Sequence, residues 1–228
     1  MTARSPVPPL PAWVRRPPRV RLPRARGENA AAAAATDTAQ GTAAENTAPD
    51  TAPDKGAQDR RPVCVRLRVP ATTANLGPGF DSFGLALGLY DEIPLRLTDS
   101  GLAVEVSGPE PVAADETNLV VRSIRAAFDE LGWKQPGLAL RCVNRIPHGR
   151  GLGSSAAAIV AGIAAADALA GGVLGRDGLL RVATAIEGHP DNVAAAIYGG
   201  MTVAWYEGDV PRALRVEPVE RLRPVLFI

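Results

Sequence analysis

The chain has 228 residues, with 25 Lys+Arg against 24 Asp+Glu and a formal net charge of +1. Hydrophobic residues make up 46% and charged residues 21%, the balance of a soluble globular protein; a basic nucleic-acid binder or an acidic solvating chain is excluded. Two cysteines, Cys64 and Cys142, are too few for a disulfide framework or a Cys-based zinc site. Their strand-like surroundings predict buried free thiols in a reducing compartment. Lysine occurs only at Lys55 and Lys134, so lysine-dependent chemistry would have to use one of those two.

Residues 1–62 show no core pattern. Met1 to Arg26 is rich in Pro and Arg without one acidic residue, and Gly27 to Asp59 is an Ala/Thr/Asp/Pro tract. Neither buries enough apolar surface to offset chain entropy, which predicts a disordered tail over 1–62. Prolines interrupt the apolar stretch Val7 to Val14, against a signal peptide.

From Val63 the pattern changes. Val63 to Val69 alternates and reads as a strand; Pro94 to Leu97 and Leu102 to Val106 read as two more, with Asp99 to Gly101 as their turn. Asn118 to Leu131 has helical spacing, with Leu119, Ile124, Ala127, Phe128 and Leu131 on one face, and Gly132 stops it. Leu138 to Val143 alternates again. Ala156 to Leu169 is almost uncharged, but Asp167 interrupts it and alanine dominates, which predicts a helix buried on most sides and not a membrane span of roughly 20 strongly apolar residues. Gly178 to Ala185 and Asp191 to Tyr198, the latter after Pro190, read as helices. Met201 to Tyr206 and Val225 to Ile228 read as strands. Strands and helices mix without a strict βαβ rhythm, so the expected fold class is α+β, with one domain over 63–228. The apolar, strand-like run at its end, with no polar closure after it, predicts a fragment.

Three segments carry chemistry. The first is Pro147-His148-Gly149-Arg150-Gly151-Leu152-Gly153-Ser154-Ser155-Ala156-Ala157. Its glycines permit conformations closed to other residues and allow a ligand close to the backbone. The helix behind them offers free N–H groups and a dipole to an anion. Ser154 and Ser155 sit where hydroxyls cap the helix or reach a phosphate-bound Mg²⁺. A Walker loop needs Lys after its last Gly, where Ser154 stands, and the spacing is not that of a dinucleotide fingerprint. Charge neutralisation would then fall to Mg²⁺, backbone donors and Arg150. The second segment, Pro70 to Asp81, offers the Asn75 amide and the Asp81 carboxylate around Gly77, Pro78 and Gly79. The third, Glu187-Gly188-His189-Pro190-Asp191-Asn192, reads as helix capping by Asp191 or Asn192. A metal reading of Glu187, His189 and Asp191 is also open, with Glu187 as a hard oxygen ligand suited to Mg²⁺.

In this order, PATTANLGPGFDSFGLAL, IPHGRGLGSSAAA and EGHPDNVAAAIYGG resemble the homoserine kinases of the GHMP kinase superfamily, from about Val63 to the end of the chain. The resemblance implies a domain like ribosomal protein S5 domain 2, with a left-handed βαβ crossover, followed by a second α+β domain. It implies ATP-dependent phosphorylation of the L-homoserine hydroxyl in threonine biosynthesis, in the cytoplasm, with no membrane or nucleic-acid partner; a homodimer of the full-length protein is left open. By matching position, Pro147 to Ala157 would hold the ATP phosphates and Ser155 and Glu187 would bind Mg²⁺. Asn75, Asp81, His189, Asp191 and Asn192 would line the homoserine pocket, with Asp81 and Asn192 orienting the hydroxyl and no dedicated base. The family's second domain supplies arginines for the substrate carboxylate. The expectation is therefore that the full-length parent is the kinase and that these 228 residues alone are nearly inactive. A mevalonate-type kinase, which commonly pairs a catalytic Asp with a Lys, is disfavoured because Lys134 lies far from every motif. A non-catalytic nucleotide-binding fragment is the rival of a different class.

Overall fold

The computed structural model describes residues 63–219, 221 and 223–225. The predicted tail over 1–62 lies outside them, as do residues 226–228 of the expected last strand; Val225 stands outside any strand.

Ten elements follow one another: β1 (Cys64–Leu76), β2 (Gly79–Thr98), β3 (Leu102–Ser107), α1 (Leu119–Glu130), β4 (Gly137–Val143), α2 (Ser154–Ala170), α3 (Gly175–Glu187), α4 (Pro190–Tyr198), β5 (Met201–Glu207) and β6 (Val210–Val216). The α+β expectation holds. The six strands form one sheet, ordered β3-β4-β2-β5-β6, with β1 paired to β2. All pairings are antiparallel except β3 with β4, which run parallel through the α1 connection.

β2 organises the rest. Its 20 residues pair with β1 along most of their length, with β4 at Glu92–Thr98 and with β5 at Phe83–Leu85. Sequence reading recovered only Pro94 to Leu97 of it as strand, because Gly79, Gly84 and Gly88 look like turn residues. The turn is confined to two residues, Gly77 and Pro78, between β1 and β2. Pairing with β1 supplies the hydrogen bonds that local propensity does not favour. β6 also escaped sequence reading, since Pro211 and two arginines obscure its alternation. It is an edge strand, where proline is tolerated.

Val65, Leu67 and Val69 of β1 are buried, while Arg66 and Arg68 lie on the opposite face, with the Arg68 guanidinium 3.7 Å above the Tyr90 ring. The expected apolar face of α1 is corrected in register: Val120, Val121, Ile124, Ala127 and Phe128 are buried, while Leu119 and Leu131 are half-buried. Asn118 caps α1, its Oδ1 accepting from Val120 N–H. At the centre is α2, thirteen of whose 17 residues are buried against α1, α3, α4 and β1. Its alanines let four neighbours approach one helix. Among the described residues no helix is long and apolar enough to cross a membrane. Of the two thiols, Cys142 is buried as expected and its pKa is pushed up to about 12 by desolvation; Cys64 is only half-buried.

α4 reaches the sheet through Gly84. A Cβ there would sit 2.5 Å from the Asp191 carbonyl oxygen and 3.0 Å from Ala195 Cβ. Alanine would gain up to about 1 kcal/mol of strand preference, but the backbone contact outweighs it. Gly84→Ala is expected to destabilise the protein by about 2 kcal/mol, read as a lower urea midpoint with an unchanged slope.

Candidate active site

The glycine segment crosses from β4 to α2 as a turn fastened from both sides. Before it, Asp91 Oδ1 accepts from Arg145 N–H at 2.6 Å and Ile146 N–H at 3.0 Å. Asp91 is buried, and desolvation raises its pKa against the pull of those two hydrogen bonds. Within the turn, the Glu110 carboxylate accepts from His148 N–H and lies 3.0 Å from His148 Nδ1. Gly153 then enters α2 with φ 63°, and no side chain caps the helix. The expectation that Ser154 or Ser155 caps it is therefore corrected. The reason is geometric: Gly153 occupies the cap position, and the Ser155 hydroxyl turns to Glu187, donating to Oε1 at 2.7 Å. The first-turn amides of α2 have no intrahelical acceptor and face a cavity.

That cavity, about 340 Å³, is lined by Asn75 from the first motif, Gly149 to Ser155 in part from the second, and Glu187 and Asn192 from the third. Segments from three distant parts of the sequence thus meet around one helix N-terminus. None of the lining residues is cationic. Arg150 is exposed and not among them. Ala156 and Ala157 are buried beneath the turn, and Pro147 lies at its edge. A second cavity, about 220 Å³, shares Ser154 and Ser155 and continues toward Asp91, Asn118, Asn144 and His148.

Beside the first cavity, Asp81, His189 and Asp191 offer ligand atoms within 4.8 Å of one another. His189 Nε2 is 3.9 Å from Asp81 Oδ1, and its Nδ1 is 3.3 Å from Asp191 Oδ1. The second approach makes no hydrogen bond, and the buried Nδ1 has no hydrogen-bond partner. The sequence reading grouped Glu187 with His189 and Asp191; Glu187 belongs elsewhere. Gly188, at φ 88°, reverses the chain after α3, so Glu187 points to Ser155 while Asp81 takes its place beside the imidazole.

The expected capping of α4 by Asp191 or Asn192 is likewise corrected. His189 holds the cap position without a side-chain bond, and both Asp191 and Asn192 lie in the first turn. Asp191 Oδ1 accepts from Asn192 N–H at 2.6 Å instead. Asn75 and Asp81 have φ of 59° and 58°, a region these two residue types tolerate. They brace each other, Asp81 N–H donating to Asn75 Oδ1 at 2.8 Å.

Three contributors were not legible from sequence: Thr72, Asp91 and Glu110. Thr72 Oγ1 donates to Asn192 Oδ1 at 2.9 Å and its N–H donates to the Leu152 carbonyl at 3.0 Å, joining all three motifs. A Cβ on Gly153 would stand 2.0 Å from that hydroxyl. Asp91 and Glu110 resemble ordinary strand and loop acids, and only tertiary contact gives them a role.

Residues 118–200 match the family described as the GHMP kinases N terminal domain. The homoserine kinase of Streptomyces avermitilis is 55% identical over 176 residues, covering 74% of this chain and 57% of that protein. The homoserine kinase of Streptomyces coelicolor is 56% identical over 173 residues, covering 74% and 56%. The crystal structure of homoserine kinase from Cytophaga hutchinsonii aligns with a TM-score of 0.61 at 32% identity, covering 68% of this chain and 52% of that one. The chain thus spans little more than half the length of the curated relatives it matches.

Burial holds the Glu187 carboxyl above its ordinary value of 4.5; the Ser155 hydroxyl pulls it back and the Asp191 charge raises it further. A folded-state value above the unfolded one means stability present at low pH is lost as pH rises through the folded value. Glu187→Gln escapes that loss. Urea curves of wild type and variant should nearly coincide at about pH 4 and separate toward neutrality, with the variant the more stable.

The domain match, with the sequence identity and shared fold beside it, assigns residues 118–200 to the GHMP kinases N terminal domain family.

Proposed function

We propose that the protein transfers the γ-phosphoryl group of ATP to the side-chain hydroxyl of L-homoserine, and that residues 63–225 contribute its nucleotide-binding half and part of the alcohol pocket. The observation that carries the reading is the uncapped N-terminus of α2 facing a cavity that all three motifs line. Free amides and the helix dipole attract anionic phosphate there, an interaction of about 0.3–2 kcal/mol. The second cavity, continuous with the serine pair, has room and polar edges for the nucleoside part.

Ser155 Oγ and Glu187 Oε1, 2.7 Å apart at the cavity wall, are a hard-oxygen pair that fits Mg²⁺. When bound, the ion would neutralise phosphate charge that no lining side chain offsets. Asp81 and Asp191 supply anionic surroundings for the substrate ammonium, with His189 between them. Asn192 orients the hydroxyl. Phosphoryl transfer asks chiefly for positioning and charge stabilisation, so no side chain is assigned as a general base. Such an enzyme would act in threonine biosynthesis in the cytoplasm.

A mevalonate-type kinase is the less favoured reading. Lys134 is the only lysine among the described residues; it is exposed in the turn after α1 and does not line the cavity.

Calorimetric titration with Mg·ATP is expected to show saturable binding. Ser155→Ala and Glu187→Gln should each weaken it about tenfold, the loss of roughly 1.4 kcal/mol expected for a charge-assisted contact. Labelled-phosphate transfer to a panel of L-homoserine, mevalonate and galactose should favour L-homoserine. Nucleotide binding with no transfer to any alcohol would favour a non-catalytic module, and preferred transfer to mevalonate would refute the substrate assignment.

A further inference from the structure

The alternation of β1 predicts Thr72 on the outer face, since Val65, Leu67 and Val69 point inward. The pairing with β2 slips between Pro70 and Thr72, and in consequence both Ala71 and Thr72 are 0% exposed. The slip turns two Thr72 polar groups out of the sheet and onto other segments. Its N–H donates to the Leu152 carbonyl of the glycine turn, and its hydroxyl reaches Asn192 Oδ1 on α4. Gly153 encloses this hydroxyl: its absent Cβ would lie 2.0 Å from Thr72 Oγ1 and 3.1 Å from Asn192 Oδ1.

A hydroxyl can donate to an amide oxygen or accept from an amide nitrogen, so the contact alone does not fix which way Asn192 faces. Asp191 decides it. Its Oδ1 lies 3.4 Å from Asn192 Nδ2 and already accepts from Asn192 N–H. Turning the amide over would set its oxygen against that carboxylate, two acceptors with no proton between them. The Asn192 oxygen therefore belongs to Thr72. Because Asn192 also lines the 340 Å³ cavity, the polar end left to face it is the NH₂ group.

We propose that Thr72 is a positioning residue: its buried hydroxyl fixes the Asn192 amide so that Asn192 presents a hydrogen-bond donor, and not an acceptor, to the cavity. The orientation stands on the contacts above, while its catalytic meaning rests on the kinase reading. With the NH₂ outward, Asn192 donates to the oxygen of the bound alcohol and leaves that hydroxyl's proton unclaimed. It cannot take the proton. This gives a physical reason why Asn192 orients the acceptor without serving as its base.

Nuclear magnetic resonance of the ¹⁵N-labelled chain tests the proposal without needing turnover. The Asn192 side-chain NH₂ pair is identified by its loss in Asn192→Ala. Thr72→Val, equal in shape but without the hydroxyl, is expected to displace that pair, and Thr72→Ser to return it to the wild-type position. In wild type the Thr72 hydroxyl proton should exchange slowly enough to be observed, with a cross-peak to the Gly153 α-protons; this needs no variant and so survives a failure of Thr72→Val to fold. An NH₂ pair unmoved in folded Thr72→Val, or a Thr72 hydroxyl proton lost to rapid exchange, overturns the proposal. Addition of Mg·ATP separates the two claims. If the amides of the glycine turn do not respond, the kinase reading fails, while the Thr72 bond is still judged on the ligand-free spectra. If they respond, the Asn192 NH₂ pair should move with them in wild type and Thr72→Ser; an NH₂ pair that stays in place would contradict a donor facing the cavity.

Discussion

A helix that begins inside a folded domain carries first-turn amides that need acceptors. In α2 this need goes unmet by the protein: Gly153 holds the cap position in a left-handed conformation, and the nearest hydroxyl, that of Ser155, is committed to Glu187. The surroundings of this helix end follow from leaving it open. The glycine turn has to be held still without using those amides, and Asp91, Glu110 and Thr72 accomplish this through the backbone on either side. A side-chain cap would stabilise the helix by about 1 kcal/mol and block the anion site. On the proposed reading, the open N-terminus exchanges a little stability for a place that phosphate would occupy.

The remaining architecture brings two other segments to that place. β2 is long enough to pair with β1, β4 and β5, so the β1–β2 hairpin tip, with Asn75 and Asp81, and the start of α4, with Asp191 and Asn192, share one scaffold. Gly84 permits the close approach of α4, and Gly153 permits that of Thr72. Both are contacts of backbone or short side chains, with little slack. Such junctions make a site rigid at the cost of tolerance to substitution.

Electrostatics divides the site into two parts. The cavity wall offers backbone donors and the Ser155–Glu187 oxygen pair, without a cationic side chain. The adjoining cluster is anionic around one imidazole, with Asp81 exposed and Asp191 buried. A phosphate suits the first and an ammonium the second, which matches the two ends of a reaction between a nucleotide and an amino-acid alcohol.

Much of this was legible in the chain itself. Alternation and helical spacing located β3, β4, β5 and α1 to within a residue or two, and the first half of β1. The glycine–serine turn before a strongly apolar helix, the polar pair in the first motif and the His189–Asn192 run marked the segments that meet at the cavity, because chemistry-bearing residue types at fixed local spacing are a property of sequence. What failed had a common cause. The start of β2 was hidden by its glycines, Glu187 was grouped by spacing although Gly188 turns the chain between it and His189, and Thr72 went unassigned because strand periodicity cannot register a bulge.

The sequence by itself determined which residues are chemically able to act and in which local element most of them sit, since propensity and periodicity operate over a few residues. Only the tertiary structure set the contacts among them: Asp81 with His189 and Ser155 with Glu187, which the resemblance had grouped without geometry, and Thr72 with Asn192, which nothing in the sequence had paired. Those pairs are separated by tens of residues to more than a hundred, and their distances are set by sheet register and helix packing, which no local pattern encodes.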